Sequence, residues 1–225
     1  MSRLKWDQTG EKLYETGVEQ CVLYLINKKT GAYENGVAWN GITSIEDSPS
    51  GGEPTAIYAD NKKYLNLMSA EEFAATINAY TYPDEFAECD GSKEIAPGVY
   101  AGQQNRCEFG LCYKTLIGND TDGTDHGYKL HFIYGALAAP SSNTHNTVND
   151  SPEASEFSWS VSTTPVDVPG AKPSATITFN STKCDKEKLK KLEDIIYGTD
   201  GATDSGTTPR MPLPAELIKL LGEAV

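Results

Sequence analysis

The stretch Cys21-Val-Leu-Tyr-Leu-Ile26, followed at once by Asn27-Lys-Lys-Thr-Gly31, decides the fold class. Its six consecutive positions are apolar or aromatic, and residues that favour turns end the run, which is the pattern of a buried β-strand. The run is also far shorter than the roughly 20 apolar residues that a membrane-spanning helix needs. We therefore expect a strand here, in a chain built from β-sheet.

Strand signals continue toward the C-terminus. Tyr33-Glu-Asn-Gly-Val37 places Asn-Gly between apolar residues, which predicts a tight hairpin turn with a returning strand over 37–47. Residues alternate in character over 72–82, which predicts a strand with one buried and one solvated face. The buried face is predicted to carry Phe73, Ala75, Ile77 and Ala79, and the other face Glu72, Thr76, Asn78, Tyr80 and Tyr82. Further strands are predicted over 55–58, 64–68, 106–117, 128–137, 156–163 and 175–179.

Helical signals are confined to short segments. Acidic residues after Pro83 predict one or two helical turns, and apolar residues at helical spacing predict a helix over 185–197. A polar linker over 198–214 precedes a short amphipathic stretch over 215–221. Nine or ten strands and one flanking helix predict a mainly β fold, in which two packed sheets form a β-sandwich or barrel with extended terminal arms. We expect one domain over 1–197 and an appended linker and arm over 198–225.

Acidic residues dominate the charge, with 32 acids against 19 bases and a net charge of −13 among 225 residues. Residues 44–95 hold three bases and eleven acids, and residues 118–160 hold one base and six acids. This balance argues against a passive nucleic-acid binder and against docking on an anionic membrane, because both need clustered Lys and Arg. The first residues contain no apolar stretch, so we expect no signal peptide.

The sequence offers little chemistry. His126, His131 and His145 have no metal-ligand spacing and are predicted to be isolated surface histidines. The segment Asp120–Asp125 favours a β-turn over a Ca²⁺ loop, because its glycine is fourth instead of sixth, although a Ca²⁺ site stays open. Phosphate-binding glycine motifs and a nucleophile elbow are missing. The five cysteines are odd in number and scattered, which predicts reduced thiols. We expect no enzyme, cofactor or metal.

Aromatic and amphipathic segments point to contacts between proteins. Tyrosine combines apolar area with a solvated hydroxyl and is enriched at interfaces. The N-terminal arm and the isolated stretch over 215–221 read as docking segments, since short helices need a partner surface. The residues predicted to contact other subunits are Trp6, Tyr80, Tyr82, Leu217 and Leu220.

Six segments, taken in chain order, carry a family resemblance: 1–18, 36–44, 72–91, 109–120, 157–166 and 192–198. The most distinctive is Glu72-Phe-Ala-Ala-Thr-Ile-Asn-Ala-Tyr-Thr-Tyr-Pro-Asp-Glu-Phe-Ala-Glu-Cys-Asp-Gly91. In this order they resemble the major tail tube protein of long, non-contractile-tailed phages that infect Gram-positive bacteria. The resemblance covers nearly the whole chain.

The resemblance implies a structural virion protein of the tail, made in the cytoplasm of the bacterial host. In that family two packed sheets with a flanking helix form the subunit, and six copies form a ring around a channel for DNA ejection. Rings stack through loops and terminal arms. The implied partners are other copies, a tape measure protein in the lumen, and tail terminator and distal tail proteins at the ends, while phage DNA passes without specific binding.

The acidity gains a role from this resemblance. A channel that passes DNA should repel phosphates, and an acidic wall does so. We expect segment 44–95 or 118–160 to supply that wall, with Glu71, Glu72, Thr76 and Asn78 as the lining positions. Some acids are expected to meet Lys188, Lys190 or Lys191 of a neighbouring copy instead.

Two alternatives from other classes stay open. One is a β-sandwich decoration or host-binding module of a virion, which would expose an aromatic carbohydrate pocket. The other is a small hydrolase, for which His126, His131 and Asp125 are the candidate residues.

Overall fold

A computed structural model describes residues 3–148, 150–151, 154–200 and 206–221. The fold is mainly β, with 48% strand and 11% helix, and contains one large sheet, three two-stranded ladders and two helices within the described residues. The predicted fold class is therefore confirmed, with a second helix added. Residues 201–205 and 222–225 of the predicted C-terminal arm lie outside the described residues.

The strands are β1 Tyr14–Ile26, β2 Tyr33–Trp39, β3 Ile42–Asp47, β4 Ser50–Gly51, β5 Pro54–Ala59, β6 Lys62–Met68, β7 Glu71–Glu72, β8 Ala74–Ala79, β9 Lys93–Ala96, β10 Val99–Ala101, β11 Phe109–Asn119, β12 Gly123–Ala138, β13 Phe157–Thr163 and β14 Thr176–Asn180. The helices are α1 Lys186–Tyr197 and α2 Pro214–Leu221, and a short 3₁₀ helix spans Asp84–Glu88. The large sheet has the antiparallel order β2-β1-β11-β12-β13-β8-β3, and β14 also pairs with β12.

The apolar run of β1 serves two hydrophobic cores. Cys21 and Leu23 belong to a first core with residues of β8, β11 and β13, while Val22 and Tyr24 belong to a second core beneath α1 and α2. Successive side chains of a strand point to opposite faces, so an uninterrupted apolar run is what a strand buried on both faces requires. The first core lies between the β1–β11 and β8–β13 parts of the sheet, as in a sandwich.

Along the edge opposite β11, β12 pairs first with β14 and then with β13, and the change of partner occurs at Gly135. Lys129–Ile133 pair with β14, whereas Ala136–Ala138 pair with β13. Gly135 has φ +56, and a Cβ atom at this position would lie 2.4 Å from the Thr164 carbonyl oxygen. Only glycine fits this backbone and this close approach without strain.

The predicted Asn-Gly hairpin turn is wrong. β2 runs straight through Asn35 and Gly36, and its register against β1 shifts there, so the dipeptide forms a bulge instead of a turn. Asn35 has φ +52, and Gly36 leaves room for the Tyr24 ring while its N–H donates to the Pro209 carbonyl oxygen. The returning strand predicted over 37–47 is interrupted at Gly41, which has φ +78.

The helix predicted over 185–197 is confirmed. The Asp185 carboxylate accepts hydrogen bonds from the N–H groups of Glu187 and Lys188, which caps the first turn of α1. Leu189, Leu192 and Ile196 are buried against the sheet. Neither helix of the described chain is long and apolar enough to cross a membrane.

Candidate assembly surfaces

Among the described residues, no second apolar layer packs on one face of the β3–β8–β13 region. Ala75, Ile77 and Ala79 of β8 are buried on the core side, while the residues between them are partly exposed. The pairing register aligns the opposite face in two cross-strand rows. The first row is Ser44, Asn78 and Ser158, and the second is Glu46, Thr76 and Ser160.

We call this face the polar face, because all six side chains of its two rows are polar. Its side chains are hydroxyls, an amide and a carboxylate, and the Asn78 Nδ2 donates a hydrogen bond of 2.9 Å to Ser44 Oγ. No lysine or arginine occurs in the sequences of β3, β8 or β13. The polar face therefore offers nothing that would neutralise a phosphate.

The predicted wall residues divide between two places. Thr76 and Asn78 lie side by side on the polar face, as the alternation predicted. β8 begins at Ala74, however, and Glu71–Glu72 form a separate exposed ladder with Ser50–Gly51. The predicted strand start at Glu72 is thus wrong, because Phe73 interrupts the pairing between the two ladders.

The β5–β6 hairpin projects from the sheet as a second candidate surface. It forms its own two-stranded ladder, and its side chains are exposed apart from the partly buried Ala56. Several of these exposed residues are large and apolar: Tyr58, Tyr64, Leu67 and Met68. An isolated two-stranded hairpin is marginally stable in water, so this one is suited to packing against another surface.

Tyr80 and Tyr82, predicted to contact other subunits, differ in their environments. Tyr80 is exposed, and its N–H donates to the Gly41 carbonyl oxygen. The Tyr82 ring packs edge-on against Phe157 and Trp159 of the first core, with ring centroids 5.4 and 5.5 Å apart. Tyr82 is therefore an anchored aromatic residue with one exposed edge.

The prediction that Leu217 and Leu220 contact other subunits needs correction. Leu217 is 1% exposed and belongs to the second core, and Leu220 packs against the same core. The partner surface that α2 requires is the chain's own sheet and α1. Two further bonds hold the connection to α2: the Tyr134 hydroxyl donates to the Pro212 carbonyl oxygen, and the Arg210 guanidinium binds the Glu216 carboxylate.

The N-terminal arm is held at one point. The Asp120 carboxylate, in the turn between β11 and β12, accepts hydrogen bonds from the N–H groups of Gly10 and Lys12 at 3.0 and 3.4 Å. The Asn119 side chain, which is buried, donates to the Gly10 carbonyl oxygen. Trp6, beyond this anchor, is 73% exposed, so its predicted role in subunit contacts stays a prediction.

The histidines do not form one site. His126 Nδ1 lies 3.2 Å from the Asp122 carboxylate, and its hydrogen bond is the main cause that lowers the pKa of Asp122. His131 is half-buried, stacks on Tyr113 and contacts the hydroxyls of Thr115 and Thr178, which corrects the prediction of a surface histidine. Burial lowers the pKa of His131. The two residues are five apart on β12 and face opposite sides of the sheet.

A second hairpin, β9–β10, was missed by the strand prediction. The sequence does contain a hairpin signal here, because the turn-forming pair Pro97-Gly98 is flanked by the apolar residues Ile95 and Val99. Tyr100 of this hairpin is exposed, and its pKa is raised mainly by the charge of Glu94, with a further contribution from Asp84. The hairpin thus brings an aromatic ring to an acidic part of the surface.

No protein-family model and no curated protein matches this chain. Within the described residues, no group of three or more His, Cys, Asp or Glu side chains is close enough to hold a metal ion.

Proposed function

We propose that this chain is the subunit of a phage tail tube, a structural virion protein that assembles into stacked hexameric rings through which DNA is ejected. The observation that carries the proposal is the contrast between the two outer faces of the sandwich. Helices α1 and α2 cover the outer face of the β1–β11–β12 part, whereas the polar face, on the outer side of β3, β8 and β13, contains no base and is not covered by any other element of the described chain.

The polar face suits the wall of a DNA channel. Hydroxyl and amide groups keep such a wall hydrated, and Glu46 gives it a charge that repels phosphates. A wall that neutralised phosphates would bind DNA with salt-dependent affinity and retard its passage. The net charge of −13 adds a long-range repulsion of the same sign.

The edges of the sheet suit ring formation. β3 is the last strand of the sheet order and is hydrogen-bonded to β8 only, within the described chain. The opposite edge strand, β2, is partly covered by a bridge from Tyr33 to Met211. An open edge beside the polar face can accept a strand of a neighbouring copy, and repeating that pairing around a ring removes the exposed edge.

Electron microscopy of the purified chain at rising concentration tests the assembly. We expect rings and then tubes as concentration increases. Monodisperse monomers at every concentration, with no particle larger than one chain, would contradict the proposal. A single-chain particle that binds glycans in a screen would support the host-binding alternative instead.

The orientation of the polar face is tested by labelling within assembled tubes. Ser160→Cys places a thiol on the polar face, and Lys186→Cys places a matched control thiol at the exposed start of α1. A bulky maleimide reagent should modify both thiols in dissociated chains, but only the control quickly in tubes, as measured by peptide mass spectrometry. Equal labelling of the two in tubes would refute the wall assignment.

A further inference from the structure

One exposed surface combines tyrosines with carboxylates. Tyr100 is the cross-strand partner of Glu94 in the β9–β10 hairpin, and Tyr82 lies two residues before Asp84. The charge of Glu94 is the main cause that raises the pKa of Tyr100, and Asp84 and Tyr82 contribute as well, in keeping with one shared surface. We call these four residues the tyrosine–acid patch. Ile95 and Val99 of the same hairpin are exposed beside it, so the patch offers apolar area together with negative charge.

The patch has a rigid base. Tyr82 packs edge-on against Phe86, Phe157 and Trp159, and Phe86 and Trp159 are fully buried. Aromatic residues held in place by a core lose little entropy on binding and are typical of interface hot spots. In the hairpin, the Glu94 carboxylate accepts a hydrogen bond of 2.9 Å from the Gly98 N–H.

The N-terminal arm has the complementary chemistry. Arg3-Leu-Lys-Trp6 alternates cationic and apolar side chains, and Leu4 and Trp6 are 74% and 73% exposed. In an extended segment, alternation places the apolar pair on one side and the cationic pair on the other. Such a segment can lay Leu4 and Trp6 on tyrosine rings while its cations reach carboxylates at the rim, in a chain otherwise dominated by acid.

The anchor of the arm and the patch of the same chain lie near opposite ends of β11. Gly10 is bound to the turn after β11, whereas the patch adjoins the start of β11 through Phe86, whose ring lies 5.4 Å from that of Phe109. The 11 residues of β11 separate these points by roughly 33 Å. Leu4 and Trp6 are largely exposed, so the arm is not docked on the patch of its own chain.

We propose that residues 3–6 of one copy dock on the tyrosine–acid patch of a second copy. Donor and acceptor are different surfaces at opposite ends of β11, so copies that face the same way can repeat the contact head to tail and build a stack. The proposal rests on the tube function, in which this contact would join successive rings.

Binding of a peptide tests the contact without assembly. The probe is a fluorescent peptide of residues 3–13, and the receptor is the full chain carrying R3E/K5E, whose own arm cannot compete. We expect saturable binding by fluorescence anisotropy that weakens with added salt. Reversing the patch with D84K/E94K in the receptor, or using an R3E/K5E peptide, should weaken binding at least tenfold.

A matched control variant separates the effect of the patch on binding from the effect of the receptor's overall charge. D167K/D200K changes the receptor charge equally at exposed positions outside the patch, and it should leave the affinity within about twofold. An absence of binding, or equal weakening by the control and the patch reversal, would overturn the proposal. Circular dichroism of each receptor confirms that the variants are folded.

Microscopy distinguishes failure of this contact from failure of the tube function. We expect the full chain with R3E/K5E to form rings that do not stack, and the K28E/K29E control, in the β1–β2 turn, to stack normally. Normal tubes from R3E/K5E would refute the contact and leave the tube proposal standing. Peptide binding by a chain that never forms rings would support the contact and refute the tube.

Discussion

Strands β11 and β13 of the same sheet show opposite burial patterns. β11 is buried along most of its length and contributes to both cores, whereas β13 alternates buried Trp159 and Val161 with exposed serines. A strand that is buried on both faces has each position constrained by packing. A strand buried on one face leaves the other free for a purpose besides folding, and here that other face contains only small polar side chains.

The sharpest test of this contrast uses two neighbouring residues of β13. Trp159→Ala should lower the free energy of unfolding by about 3–5 kcal/mol, because it removes a fully buried ring that contacts four other aromatic residues. Ser160→Ala, on the polar face, should change it by less than about 0.5 kcal/mol. Urea unfolding measures both, and similar losses would mean that the polar face is packed.

The boundary between the two regions is tested at Gly135. Gly135→Ala should cost roughly 2–3 kcal/mol, because the residue has positive φ and its Cβ would meet the Thr164 carbonyl oxygen. Gly123→Ala is the control, with φ +63 but open space around it, and should cost about 1 kcal/mol. If thermal unfolding shows equal losses, the close approach at Gly135 plays no part.

The covered side is tested through a buried hydroxyl. Tyr24 is fully buried, and its hydroxyl donates a hydrogen bond of 2.6 Å to the Ile196 carbonyl oxygen of α1. Tyr24→Phe should cost about 1–2 kcal/mol, since it leaves a buried carbonyl oxygen without that donor. Tyr58→Phe, in the exposed hairpin, should be neutral in the same urea titration. A neutral Tyr24→Phe would show that packing alone fixes α1.

The smallest effect concerns the ion pair that holds α2. The hydrogen bond from Arg210 lowers the pKa of the Glu216 carboxyl. The folded pKa therefore lies below the unfolded one, so the pair stabilises the chain above the ordinary carboxyl pKa and loses this contribution as pH falls through the folded value. The pair is partly exposed, so we expect less than about 1 kcal/mol. Unfolding of Glu216→Gln and of the unchanged chain should differ at pH 7 and converge in acid; a constant difference would contradict this.

The parts of the fold that local pattern determines were predictable. The alternation of Phe157, Trp159 and Val161 indicated β13, and the spacing of Leu189, Leu192 and Ile196 indicated α1. The turn predicted at Asn35-Gly36 was wrong because the left-handed backbone of Asn35 suits a bulge as well as a turn. The bulge is selected by the close packing of Gly36 against the Tyr24 ring and Pro209. The local sequence does not reveal either contact, because the fold creates both.

The candidate surfaces were predictable only in part. Thr76 and Asn78 follow from alternation along β8, but their neighbours Ser44 and Ser158 come from strands whose pairing with β8 is not encoded locally. The position of Leu217 was missed for a similar reason: amphipathic character indicates that a helix has a partner but not whether that partner belongs to the same chain.

The double pairing of β12 has a kinetic consequence. β11 and β12 are joined by a short turn, so their pairing closes a small loop, whereas β1, β13 and β14 must each return from a distance to join this pair. We expect the β11–β12 hairpin to form early, with β14 and β13 then adding to its two halves. Substitutions in β13 should accordingly speed unfolding more than they slow refolding.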